Sequence, residues 1–71
     1  MSTEEKVIKI LKEAGANGLE NAMSPKNLLL LASNEGLSDK EAEAAIVSLI
    51  DQDIVEYEMN DQTDVTHLWL L

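Results

Sequence analysis

The chain has 71 residues, a formal net charge of −9, no Cys, and Tyr57 and Trp69 as its only aromatics. That length makes one domain with a small aliphatic core, and the missing cysteines exclude a disulfide framework and a thiolate metal site. No Arg is present and no apolar run approaches the ~20 residues of a membrane span, so bidentate phosphate or guanine recognition and a transmembrane helix are excluded.

The charge is unevenly placed. Residues 1–40 hold six acids and five lysines, whereas residues 41–71 hold eight acids and no Lys or Arg. Nothing in the second half can neutralise phosphates. The acidic, polar N-terminus is not a signal peptide, and a soluble cytoplasmic protein is expected. The Met1-Ser2-Thr3 opening suits a complete chain.

Ser2-Thr3-Glu4-Glu5 reads as a capping box, with Thr3 as the other candidate cap. A helix from about Glu4 to Ala14 should follow. Val7, Ile8, Leu11 and Ala14 form its core face, with Ile10 at the margin. Lys6, Lys9 and Lys12 drift round the other side, either as a solvated face or as a weak basic stripe. Gly15 sits where a helix stops. Residues 15–23 read as a loop with Leu19 and Met23 tucked in as plugs, and part of it can pair as a very short strand against a later hairpin. Gly15-x-x-Gly18 lacks the Lys-Ser/Thr pair of a phosphate loop.

Ser24-Pro25 opens a second helix, with Ser24 as cap and Pro25 at its first position. Its inner face is predicted as Leu28, Leu31 and Ala32, leaving Leu29 or Leu30 half-buried. Gly36 ends it and Leu37 supplies the accompanying apolar contact. Ser38 caps the next helix at once, so the pair reads as a helix-turn-helix.

Ser38 to Asp53 is the clearest helix. Ser38 and Glu41 form a capping box. Ala42, Ala45, Ile46, Leu49 and Ile50 make one continuous apolar stripe. Opposite lie Lys40, Glu43, Ala44, Val47 and Asp51. Residues 54–59 then read as a strand with Val55, Tyr57 and Met59 on one face. Asn60 to Asp64 is a polar turn. Residues 65–71 form the return strand, in which Leu68 and Leu70 compete with His67, Trp69 and Leu71 for the inner face. Trp69 is therefore either the main aromatic of the core or an exposed anchor for a partner.

Catalytic chemistry finds little support. His67 is the lone His and has no partner at metal-ligand spacing. No Ser is framed as a nucleophile. Glu58, Asp61 and Asp64 lack the pattern of a calcium loop. No cofactor is implied, and the chain reads as a non-enzyme.

Three helices followed by a C-terminal two-stranded antiparallel hairpin make an α+β, mostly α fold over residues 1–71, and this pattern resembles the winged-helix superfamily. The resemblance rests on helix 1, the Ser24-Pro25 helix, the Gly36-Leu37-Ser38 turn and the capped third helix. The run Leu49-Ile50-Asp51-Gln52-Asp53-Ile54-Val55-Glu56-Tyr57 is similar to the Leu-x-x-x-Gly-x-Ile/Val-Glu passage from recognition helix into wing, with Asp53 or Gln52 in place of Gly. It is closest to small archaeal and replication-associated members, several of which act as protein-docking modules. This resemblance implies a role in replication or transcription machinery.

Glu43 and Asp51 on the third helix, with Glu58, Asp61 and Asp64 on the wing, would face phosphates and repel them. Nucleic acid is therefore not expected through helix 3 and the wing. Ala44 and Val47 either form a small apolar contact spot rimmed by acids or pack under the wing or a terminus. The leading expectation is an acidic protein-interaction module, its partner bearing a basic or mixed surface and its candidate residues being Lys40, Glu43, Ala44, Val47, Asp51 and Trp69. The alternatives are a DNA-binding regulator using Lys26 and the helix 1 lysines, with Leu29 or Leu30 at a dimer face, and a DNA mimic. Monomer and homodimer are both open.

Overall fold

Serine side chains start each of the three helices: α1 (Thr3–Glu13), α2 (Pro25–Asn34) and α3 (Asp39–Asp51). The structure, a computed structural model, describes residues 2–71. The Ser24 hydroxyl accepts from the Asn27 N–H at 3.2 Å, with Pro25 at the first helical position. The boxes at α1 and α3 are reciprocal. Glu5 N–H donates to Ser2 Oγ and Ser2 N–H to Glu5 Oε1, both at 3.2 Å; the Glu41 and Ser38 pair repeats this at 3.1 Å. Ser2, rather than Thr3, is the cap.

These boxes give acid-dependent stability. The backbone N–H of each serine, and then its hydroxyl, hold the Glu5 and Glu41 carboxyls below their ordinary value of 4.5. A depressed folded-state pKa adds stability that is present above the unfolded value and lost as pH falls through the folded one. Thermal midpoints measured at falling pH from 4.5 downward should therefore drop less steeply for Glu41→Gln than for the wild type. Parallel curves would show that the Glu41 charge contributes nothing.

Each helix also ends in the same way. Past α1, Gly15 N–H donates to Lys12 O at 3.1 Å and Ala16 N–H to Leu11 O at 2.9 Å. Past α2, Gly36 reaches Ser33 O and Leu37 reaches Ala32 O, both at 3.0 Å. Past α3, Asp53 reaches Ile50 O at 3.0 Å and Ile54 reaches Leu49 O at 2.9 Å. All three are Schellman closures, which need a left-handed residue and turn the next side chain inward. Asp53, at φ +60°, takes that position in α3, where the other two helices use glycine. Asp53→Gly should raise the free energy of unfolding by about 0.5–1 kcal/mol, the relief of left-handed strain less the greater chain entropy of Gly. Urea denaturation measures this, and an unchanged or lower midpoint would mean that the Asp side chain helps to hold the turn.

β1 (Val55–Met59) and β2 (Val65–Leu70) pair antiparallel, with Val55 opposite Leu70 and Tyr57 opposite Leu68. Three helices followed by this hairpin form an α+β, winged-helix-like layout. The loop after α1 pairs with the other edge of β2. Met23 and Leu68 exchange both backbone hydrogen bonds at 2.8 Å, and Leu70 N–H donates to Ala16 O at 2.8 Å. The wing is thereby tied to the loop after α1 along the outer edge of β2. In the turn, Asn60 Oδ1 accepts from the backbone of Gln62 and Asp64 at 2.9 and 3.0 Å.

The core takes Val7, Ile10 and Leu11 from α1, Leu28 and Ala32 from α2, and Ala42, Ala45 and Leu49 from α3, closed by Leu37, Val55, Leu68 and Leu70. Several expectations change here. Ile10 is buried, Ile8 is half-buried and Ala14 is exposed, because the chain already turns at Ala14 and Ala16 enters the core instead. Leu31 is 37 % exposed at the edge of α2, where only one side of the helix is covered. Leu19 is exposed in a single 3-10 turn (Leu19–Asn21) that bulges outward between Asn17 and Met23, the two residues held against β2. Met59 is exposed at the end of β1, where the strand register shifts between Glu58 and Met59.

Candidate functional site

The apolar stripe of α3 is wider than the core that covers it. Ala42, Ala45 and Leu49 are buried, whereas Ile46 and Ile50 remain half-buried. Toward α1 the C-terminal part of the α3 flank is bridged by hydrogen bonds. Ser48 Oγ donates to Glu4 Oε1 at 3.2 Å, and Gln52 Nε2 donates to Glu4 Oε2 and to Ser48 Oγ, both at 3.0 Å. Toward the wing the flank is open, and there Ile46, Val47 and Ile50 line a groove of about 420 Å³.

Leu29 and Pro25 of α2 form one side of the groove, and Val65 and Leu68 of β2 form another. The polar side chains at its rim are Glu43 and Asp64, both acidic. Val47 is 58 % exposed, so it does not pack under the wing. Ala44 is exposed as well, but it belongs to a separate shallow hollow with Thr3, Glu4 and Glu41. Of the six residues singled out in the sequence, Glu43 and Val47 come together at the groove, and Lys40, Ala44, Asp51 and Trp69 do not line it.

Trp69 takes neither of its two expected places in full. It stands opposite Glu56 on the face of the hairpin turned away from Leu68 and Leu70, and it is half-buried. The reason is register. Leu68 is bonded to Met23, which directs Leu68 and Leu70 into the core, and a slip of one residue would bury His67 in their place.

No family model matches the chain, and the curated proteins and solved structures give no significant match either. What the site can do follows from its own chemistry.

The remaining groove residues carry sequence signals that point elsewhere. Ile46 and Ile50 read as core because a helical period shows which face is apolar, not how far other elements cover it. Leu29 lies within a run of four leucines, more than one helix face can bury, and that excess was the available sign of an exposed apolar surface. Pro25 reads only as a helix starter.

No lysine lines the groove. Lys9 Nζ forms an ion pair with Glu35 at 3.6 Å, and Lys6 Nζ donates to the Glu35 carbonyl at 3.5 Å. Two of the three α1 lysines thus converge on the end of α2. Among the described residues no group of three or more His, Cys, Asp or Glu side chains could hold a metal ion, and no helix is long and apolar enough to cross a membrane.

Proposed function

We propose that this chain is a non-enzymatic, cytoplasmic protein-interaction module that binds its partner through α3 and the adjoining wing. The observation that carries the reading is the open apolar groove at Val47 with Glu43 and Asp64 at its rim. An apolar depression with polar edges matches the anatomy of a protein contact, in which a desolvated centre supplies affinity and a charged rim supplies selectivity. The charge pattern also weighs against a nucleic-acid ligand. The electrostatic share of nucleic-acid affinity comes from cations that neutralise phosphates, and the wing carries Glu56, Glu58, Asp61 and Asp64 with no Lys or Arg. The engagement of Lys6 and Lys9 with Glu35 weighs against a DNA surface on α1. By analogy with replication-associated winged helices, the partner belongs to replication or transcription machinery.

A photo-crosslinker placed at position 47 tests the reading. It should capture a protein that, once purified, binds the wild-type chain and binds Val47→Lys at least tenfold less, about 1.4 kcal/mol. Failure of that purified pair to associate, or duplex DNA binding that weakens as salt rises, would overturn it.

A further inference from the structure

We propose that the groove between α2, α3 and the wing receives the apolar face of a lysine- or arginine-bearing amphipathic helix from a partner protein. This rests on the interaction-module reading and adds the chemistry and the secondary structure of the partner segment.

The sign of the partner's charge follows from the rim. Glu43 and Asp64 stand at the groove, and no lysine lines it. Lys26, next to Pro25 in the chain, lines the neighbouring hollow with Leu30 instead. A second copy of the chain would bring acids against acids, with a formal charge of −9 on each side. Like charges brought together as an interface desolvates are strongly unfavourable. A cationic partner turns the same acids into attractive contacts. Its lysines can lay their methylene stems over the apolar lining while their ammonium groups reach Glu43 and Asp64.

The backbone of the partner must look after its own hydrogen bonds. A strand added to this protein would need a free sheet edge at the groove. β1 contributes no lining residue, and Leu68 of β2 has both backbone groups bonded to Met23. With no strand edge to pair with, a helix is the form in which the segment satisfies its backbone hydrogen bonds internally while laying an apolar face in the groove. The lining of Leu29, Ile46, Val47, Ile50, Val65 and Leu68 suits the short apolar row that a helix presents at i, i+3 or i+4, and i+7. A volume of about 420 Å³ lies within the usual range of pockets that accept a few such side chains.

The test uses synthetic peptides and the full chain. The probe is a fluorescein-labelled peptide of about four helical turns, with leucines at i, i+3, i+4 and i+7 and lysines flanking them. One control exchanges the lysines for glutamates, and another keeps the composition but places a proline at the centre. Fluorescence anisotropy should show the lysine helix binding at least tenfold more tightly than either control. Amide NMR shifts should centre on Leu29, Ile46, Val47 and Leu68. Val47→Lys should weaken the lysine helix at least tenfold and Val47→Ser by less; both change an exposed side chain, so the fold is retained. Equal binding of the glutamate or the proline peptide overturns the proposal, as does an effect mapped to another face. If no peptide binds while a crosslinked partner still depends on Val47, the helix assignment falls and the interaction-module reading stands. If that partner ignores Val47 as well, both fall.

Discussion

Leu49→Ala should destabilise the protein by about 3 kcal/mol, through lost burial of the side chain and the cavity that it leaves. Leu49 is fully buried on α3, and its carbonyl accepts the Ile54 N–H that closes the helix. The site has little room to collapse. The capping box holds the start of α3, and the contacts of Ser48 and Gln52 with Glu4 hold its end against α1. A domain of this size has about 3–5 kcal/mol of stability to lose, so the variant should lie close to its unfolding midpoint without denaturant. Urea titration followed by circular dichroism measures the change. Val47→Ala, two residues earlier and 58 % exposed, should stay within about 0.5 kcal/mol of the wild type. A loss below about 1 kcal/mol at Leu49 would mean that the core is not built around α3.

Gly36→Val should cost about 2 kcal/mol, for a different reason. Gly36 has φ +84°, and a Cβ built there would meet no atom within 4 Å. The penalty is therefore one of backbone conformation and not of crowding, since a β-branched residue is a true outlier in the left-handed region. If the backbone left that region, the bonds of Gly36 to Ser33 and of Leu37 to Ala32 would be lost, and Leu37 would swing out of the core. Gly36→Ala should cost less, because alanine tolerates the conformation better and both substitutions restrict the unfolded chain. The opposite sign expected for Asp53→Gly makes the pair a joint test. If both changes moved the urea midpoint in the same direction, the shared closure would not explain either of them.

The helix ends were legible because their signals are local. Ser38 with Glu41, Ser24 with Pro25, and Gly15 and Gly36 act through bonds that span only a few residues, so neighbours in the chain suffice to read them. The α+β order of three helices and a hairpin followed from the same short-range rules. The uneven charge needed no structure either, since it is a property of composition. It weighs against DNA reading by α3 and the wing, and Glu43 and Asp64 place part of that charge at the groove.

Where a side chain ends up depended on elements far away in sequence. The bond between Met23 and Leu68 chooses which face of β2 turns inward, and no pattern within residues 65–71 contains that choice. Trp69 lies half-buried opposite Glu56 as a consequence. Periodicity placed Ile46 and Ile50 on the apolar side of α3, but only the packing of α2 and the wing decides that they are left half-covered. A strand face and a helix stripe are local properties of the chain. Register and burial are set by the partner that arrives, and in this protein the partner reaching Ile46, Val47 and Ile50 leaves a groove open.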